Sequence, residues 1–373
     1  GKEDSYEATK VAVHFGEEGK TVKDPYFNGK GPDRTGCIYC GACMTGCRYN
    51  AKNTLDKNYL YLAQQNGVEI LAEKEVFNVS TLNGKNGDDG YKVHYNSSFG
   101  KKKKGSFTSK GIIFSGGVVG TIPLLLKLKE NSLPKLSEKV GCNIRTNNEA
   151  LMVITSTDKK SKDYSKGIAI GSILHTDENS HLEPVRYGKG SSFFRTLTVP
   201  SIHHKYLIFR LIGVLSLIVK YPVKLFKTVF IKNYTQRSTV LLFMQSLDST
   251  LRLKLGKFTR MKTVIEDGEK PNAFIPEAIE LGKRFAKKVN GIPYGNFTDA
   301  LFGTPTTAHI LGGAVMSDSI TTGVIDKNNQ VFGYKNMLVC DGSMISANPG
   351  VNPSLTITAI TEHAMSKIPN KAL

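Results

Sequence analysis

Residues 112–126 restrict the fold more than any other stretch: an apolar strand, a turn carrying Gly116, Gly117 and Gly120, and the start of an apolar helix follow one another without a break. A strand that enters a helix through a glycine-rich turn is the building unit of α/β sheets, and the carboxyl end of such a strand is where those sheets receive a ligand. The turn departs from the GxGxxG dinucleotide pattern, because Ser115 stands where the first Gly would be. A lone glycine turn identifies no ligand. The expected fold class is α/β, shading into α+β where strands and helices segregate.

The flanking segments extend this expectation. Residues 55–65 read as a helix; 68–82, 91–95 and 111–115 carry short Val/Ile-rich runs separated by Asn, Gly and Asp, which predicts strands joined by polar turns, one of them holding Lys101 to Lys104. From 151 to about 255 the pattern changes to mixed strands, with 240–244 as a buried strand, and predicts a second domain. A helix over 276–289 has Pro276 in its first turn and Gly291 just past its end, the usual asymmetry of start and stop signals. Residues 337–340 form a short apolar strand, and 354–368 a helix with Ile357, Ile360, Ala364 and Ile368 on one face. With 373 residues, 40% of them hydrophobic and 22% charged, the chain has material for a large core or two packed domains, and no internal repeat is visible.

The most apolar stretch, 207–231, is interrupted by Arg210, Lys220, Pro222, Lys224 and Lys227. A bilayer span needs about 20 nearly uninterrupted apolar residues, so no transmembrane helix is expected. Lys220, Lys224 and Lys227 recur at helical spacing opposite a face rich in Leu, Val and Phe. Such a segment lies on a membrane surface, covers an apolar pocket or packs on its own domain, and peripheral membrane contact through 205–232 is one expectation. Fifty Lys and Arg against 32 Asp and Glu give a net charge of +18, which favours anionic partners. No nucleic-acid module accompanies that charge, so no nucleic acid is expected as a partner. Residues 1–20 are polar and contain no signal-peptide core, which says little about the complete protein, whose targeting region is expected to lie outside these residues; the expected location is cytoplasmic, with membrane association as an option.

Cys37, Cys40, Cys43 and Cys47 fall in C-x2-C-x2-C-x3-C. That is the ferredoxin spacing, in which thiolates on an irregular loop wrap one [4Fe–4S] cube and Pro follows the last Cys. Here Arg48 follows, and no second cysteine group exists. Two readings stand: an iron–sulfur or zinc site, as in an electron-transfer protein, or reduced structural thiols. A full disulfide set fits least, because Cys37, Cys40 and Cys43 are close neighbours.

Two carboxy-terminal pieces carry further chemistry. TAHILGGAVM holds His309, Gly312 and Gly313; LVCDGSMISANPGVNPSLTITAITEHA holds Asp341, Gly342, Asn352, Pro353 and Ser354. Taken in order with GGVVGTIPLLL and GCRYNAKNTLDKNYL, they resemble the glucose-methanol-choline oxidoreductases, cholesterol-oxidase-like bacterial members above all, from about residue 36 to 369. The resemblance implies FAD as cofactor and the oxidation of an alcohol to a carbonyl, the alcohol being a small molecule, bulky and apolar, such as a 3β-hydroxysterol. It implies an incomplete Rossmann-like FAD-binding domain (52–150 and 323–373) with an inserted mixed-sheet substrate domain (151–322, with the Cys-rich 1–51).

Alcohol oxidation removes a proton from oxygen and a hydride from the adjacent carbon, so it needs a base and a hydride acceptor. By resemblance His309 is the base and Asn352 the second active-site residue, a neutral amide that holds the substrate oxygen without competing for its proton. Asp341 and Gly342 match the flavin-contacting turn, Gly117 the turn that approaches the cofactor, and Val76 a strand residue whose backbone faces the adenine. Asn352 and Ser354 stand where the last helix begins, whose amino-terminal dipole favours the flavin edge that becomes anionic on reduction.

Two departures limit the resemblance. The family's first strand and GxGxxG turn, which take the FAD pyrophosphate, are not among these residues. Weak FAD binding, or a non-catalytic remnant, is the corresponding expectation. Where cholesterol oxidases carry a Glu on a substrate-domain strand, this chain reads VLLFMQSLDS; Gln245 cannot act as a carboxylate base and Asp248 is displaced, which argues against sterol isomerisation.

Overall fold

The computed structural model describes residues 3–84, 86–158, 160–202, 204, 206–256, 261–265 and 271–369. Its α-helices are α1 (Tyr59–Gln65), α2 (Val118–Glu130), α3 (Leu207–Lys220), α4 (Pro222–Phe230), α5 (Tyr234–Arg237), α6 (Pro276–Lys288) and α7 (Ser354–Met365). The chain divides into two compact units, one made of 1–70, 149–245 and 272–306, the other of 71–148, 246–271 and 307–373. The sequence boundaries differ from these: 52–70 fall in the first unit, and 246–271 and 307–322 in the second.

The first unit is built on a seven-stranded sheet in the order Tyr6–Ala8, Ser172–His175, Ser180–Val185, Ser238–Gln245, Ala150–Ser156, Gly291–Asn296 and Thr198–Pro200. Every pairing in it is antiparallel, where mixed strands were expected. Ser238–Gln245 is flanked on both sides and buried at all but one position, which explains why its sequence is a continuous apolar run without alternation. Helix α6 covers one face through Ala278 and Ala286, against Met152, Ile154 and Phe243. Its end is turned by Asn290 at φ 49, not by Gly291. Gly291 serves a different need: a Cβ there would stand 2.8 Å from the Thr155 carbonyl oxygen on the neighbouring strand.

The second unit holds a two-stranded parallel sheet, Ile112–Phe114 beside Met337–Val339, and a three-stranded antiparallel sheet, Lys74–Thr81, Tyr91–Ser97 and Lys104–Ser109. Lys101, Lys102 and Lys103 lie in the second hairpin turn, as the charge run suggested, and Lys104 opens the strand after it. Strand structure begins only at Lys74, because 68–73 turn without pairing. Helix α2 buries Ile122, Leu125 and Leu128 completely against Phe114, Met337 and Val339. Each such side chain contributes about 1.5–3 kcal/mol.

Two expected helices come out shorter or broken. The helix over 55–65 splits into a 3-10 turn Leu55–Lys57 and α1, because Asn58 (φ −139, ψ −101) leaves helical geometry and its side chain caps Tyr59. The apolar stretch 207–231 bends at Tyr221, since Pro222 opens α4. No helix among the described residues is long and apolar enough to cross a membrane.

Candidate active site

In the second unit the strand Met337–Val339 ends in Asp341, whose carboxylate organises the surrounding backbone. One carboxylate oxygen accepts Ser343 N–H at 2.8 Å and the Ser343 hydroxyl; the other accepts Gly117 N–H at 2.9 Å and Thr121 Oγ1 at 2.5 Å. Asp341 thus ties the carboxyl ends of the two parallel strands together and holds the glycine turn against them. Gly117 has φ 69 and caps α2, a backbone state that favours glycine. Ser115 and Gly116 stay exposed, and with Val76 they line a cavity of about 620 Å³. The N–H of Gly120 turns back to the Gly117 carbonyl at 3.0 Å, so the N–H groups that this helix start offers are those of Val118 and Val119.

The His309 segment is built onto the same turn. Gly312 N–H donates to the Gly342 carbonyl at 3.0 Å and Ala314 N–H to the Ser343 carbonyl at 2.9 Å, while Leu311 and Arg145 exchange backbone bonds of 2.9 and 2.8 Å. The paired glycines are steric necessities. A Cβ on Gly312 would stand 2.1 Å from the Asn143 carbonyl, and one on Gly313 would stand 2.8 Å from the side chains of Ile122 and Ile144. His309 lies three residues before this anchor, half-buried, with its backbone N–H on Thr307 Oγ1 at 3.0 Å.

Asn352 is half-buried, and the carbonyl before it, that of Val351, accepts the amide of the fully buried Asn147 at 2.7 Å. Pro353 is the N-cap of α7 and its side chain makes no capping hydrogen bond; Ser354 is exposed. All the sequence-designated residues, Val76, Gly117, His309, Asp341, Gly342, Asn352 and Ser354, fall within this one unit. Direct contact joins Gly117 to Asp341 and the His309 segment to Gly342; Val76 lines the cavity beside Gly116.

The first unit carries a separate cavity of about 390 Å³, lined by Leu151, Val153, Tyr187, Phe194, Val240 and Phe297 among others. Its polar atoms include the hydroxyls of Thr298 and Thr306. Asp299 holds both, accepting Thr306 Oγ1 at 2.5 Å and Thr298 Oγ1 at 3.3 Å, on a π-helical turn, Thr298–Phe302. Burial raises the Asp299 carboxyl above its ordinary value, against those hydrogen bonds. Sequence reasoning passed over Asp299, Asn147 and Thr121; only the i+4 spacing of Thr121 from Gly117 was a usable signal.

The four clustered cysteines line one small cavity of about 10 Å³, room for no more than about one water molecule. All six cysteines are free, and among the described residues no group of three or more His, Cys, Asp or Glu side chains is placed to hold a metal ion. The arrangement gives the [4Fe–4S] reading no support. Cys47 stands apart: burial acts to raise its thiol, but the backbone N–H groups of Lys52, Ala51 and Tyr49 outweigh it and hold the thiol below its usual range.

A glycine-opened helix start at the carboxyl end of parallel strands, in one unit, fits a cofactor, and an apolar cavity on a large antiparallel sheet, in the other, fits an apolar ligand. Residues 30–149 and 281–361 match the amino- and carboxy-terminal models of the GMC oxidoreductases. The chain is 41% identical over 378 residues to a cholesterol oxidase of Acinetobacter baumannii, covering 98% of this chain and 68% of that protein. It is 38% identical over 389 residues to a cholesterol oxidase of Mycobacterium tuberculosis, covering 99% and 66%. Among solved structures, pyridoxine 4-oxidase from Mesorbium loti shares the fold with a TM-score of 0.52 at 12% identity, over 85% of this chain and 62% of that one. The chain therefore belongs to the glucose-methanol-choline oxidoreductase family, whose members are FAD flavoproteins, and it spans about two thirds of the length of these relatives.

Proposed function

We propose that the protein oxidises a bulky, apolar alcohol to the carbonyl compound with FAD as cofactor, and that a 3β-hydroxysterol is the first substrate to test. The observation that carries this is the 390 Å³ cavity, whose lining is aliphatic and aromatic with a few hydroxyls. Ligand pockets of this size fit one rigid apolar body and orient it by a few polar groups. The relatives named cholesterol oxidase support the sterol in particular.

The second unit supplies the cofactor side. The exposed turn at Ser115 and Gly116, the start of α2 and the cavity beside Val76 fit a dinucleotide, since they offer room, a close backbone approach and the positive end of a helix. Val76, Gly117, Gly342, Asn352 and Ser354 would hold it. Asp341 acts at one remove, because both carboxylate oxygens already accept protein donors. When bound, FAD supplies the acceptor for the hydride of the carbinol carbon. His309 takes the hydroxyl proton on an imidazole nitrogen, and the Asn352 amide orients the substrate oxygen. An apolar alcohol of this kind resides in lipid, so peripheral membrane contact through 205–232 belongs to the same reading; Lys205 lies outside the described residues.

The test is anaerobic reduction of the flavin-loaded protein by sterols, long-chain alcohols and sugars. His309→Ala should slow reduction by about 100-fold or more with flavin content unchanged. An unchanged rate removes His309 from the mechanism, and a preference for sugars overturns the apolar substrate.

A further inference from the structure

Helices α3 and α4 carry their apolar stripe on the outside. On α3, Ile208, Ile212, Leu215 and Val219 recur at i, i+4, i+7 and i+11 and are all exposed, Leu215 at 61% and Val219 at 82%. On α4, Val223, Phe226 and Phe230 recur at i, i+3 and i+7, with Phe226 at 65% and Phe230 at 66%. The inner side packs on the first unit. Leu225 packs on Ile292 and Tyr294, the Thr228 hydroxyl bonds to the Tyr294 hydroxyl, and Arg195 donates to the carbonyl of Val229 at 3.0 Å. An amphipathic helix normally turns this stripe to the core. Contiguous exposed apolar area of such extent marks a binding face.

Charge selects the occupant. Lys220, Lys227 and Lys232 are exposed and Lys224 half-exposed along the same helices, and no Asp or Glu occurs from residue 184 to 247. Face-to-face pairing of two copies would oppose these lysines, with no acid on the same segment to offset them. An anionic lipid surface meets both features, with the apolar side chains below the headgroups and the lysine stems reaching back to the phosphates.

We propose that α3 and α4 form a docking face for an anionic bilayer, entered by Leu215, Val219, Phe226 and Phe230 and held by Lys220, Lys224, Lys227 and Lys232. This rests on the membrane contact proposed above and names its face and lipid charge. Docking needs no flavin chemistry, so vesicle binding and flavin reduction by a detergent-solubilised sterol can fail separately.

The experiment is flotation of the whole protein with phosphatidylcholine vesicles that either contain or lack one third phosphatidylserine. The expected result is strong flotation with phosphatidylserine, lost progressively with added salt. The triple variant Leu215→Ser, Val219→Ser, Phe226→Ser, with its circular dichroism checked against wild type, should bind about tenfold or more weakly. Lys220→Gln with Lys227→Gln and Lys232→Gln should abolish the preference for phosphatidylserine. Phe99→Ser, at an 81% exposed position of the other unit, should float like wild type. Equal flotation on both vesicles, or undiminished flotation of the folded triple variant, overturns the proposal. So does a dimer in light scattering that the triple variant dissociates.

Discussion

The backbone N–H of Gly117 donates to the Asp341 carboxylate at 2.9 Å, across 224 positions of sequence. With Thr121 and Ser343 the same carboxylate collects four donors, so it locks the glycine turn to the end of the neighbouring parallel strand. Asp341→Ala leaves these donors without an acceptor in a buried site and should cost about 3 kcal/mol or more. Urea unfolding followed by circular dichroism measures this; a loss below about 1 kcal/mol would show that water replaces the carboxylate.

Gly117 and Gly312 both have positive φ, yet their substitutions should differ. Gly117 faces open space, so Gly117→Ala carries only the conformational penalty of its φ 69, ψ 167 backbone, about 1–3 kcal/mol. In Gly312→Ala a positive-φ penalty adds to a Cβ placed 2.1 Å from the Asn143 carbonyl, and overpacking costs about 1–3 kcal/mol more. The ranking of the two unfolding midpoints tests the packing, and equal midpoints would refute it.

Burial holds the Asp299 carboxyl above 3.8, its ordinary value, so the folded protein keeps this proton to higher pH than the unfolded chain does. Stability contributed by this group is therefore greatest at low pH and is lost as pH rises from 3.8 through the folded-state value. Asp299→Asn keeps an acceptor for Thr306 and cannot ionise. Its melting temperature should exceed that of wild type more at neutral pH than in acid, and a constant difference would refute this role.

Cysteine reactivity should follow thiolate character and access. Cys340 is buried, and burial together with Asp341 pushes its thiol up to about 11, whereas Cys47 is half-buried with its thiol held low by backbone donors. Brief alkylation at about pH 8 followed by peptide mass spectrometry should find Cys47 modified well before Cys340. Simultaneous modification would contradict this environment.

The parallel sheet of the second unit has two strands, and the sequence contains no GxGxxG turn. These residues alone should copurify with little FAD. The visible spectrum decides, and a stoichiometric tightly bound flavin would overturn the expectation.

The strand, turn and helix over 112–126 were readable because adjacent residues make them: apolar runs set the period and glycines set the break. The same holds for α6, α7 and the buried strand at 240–244. The stop at Asn58 and the antiparallel order of the large sheet were not readable. The first depends on one side chain bonding its neighbour's N–H, and the second on which strands meet after folding.

The sequence by itself determined the family, through an ordered set of short motifs, and designated His309, Asn352 and the glycine turn, because each motif is a local arrangement of backbone and side chain. Tertiary structure alone decided that Asp341 spends its carboxylate on Gly117 and Thr121, that Asn147 is buried and Asp299 half-buried, and that the amphipathic stretch turns its apolar stripe to solvent. These are contacts between distant residues. Periodicity shows that a helix has two faces, and only the packing of the whole chain chooses which face is left uncovered.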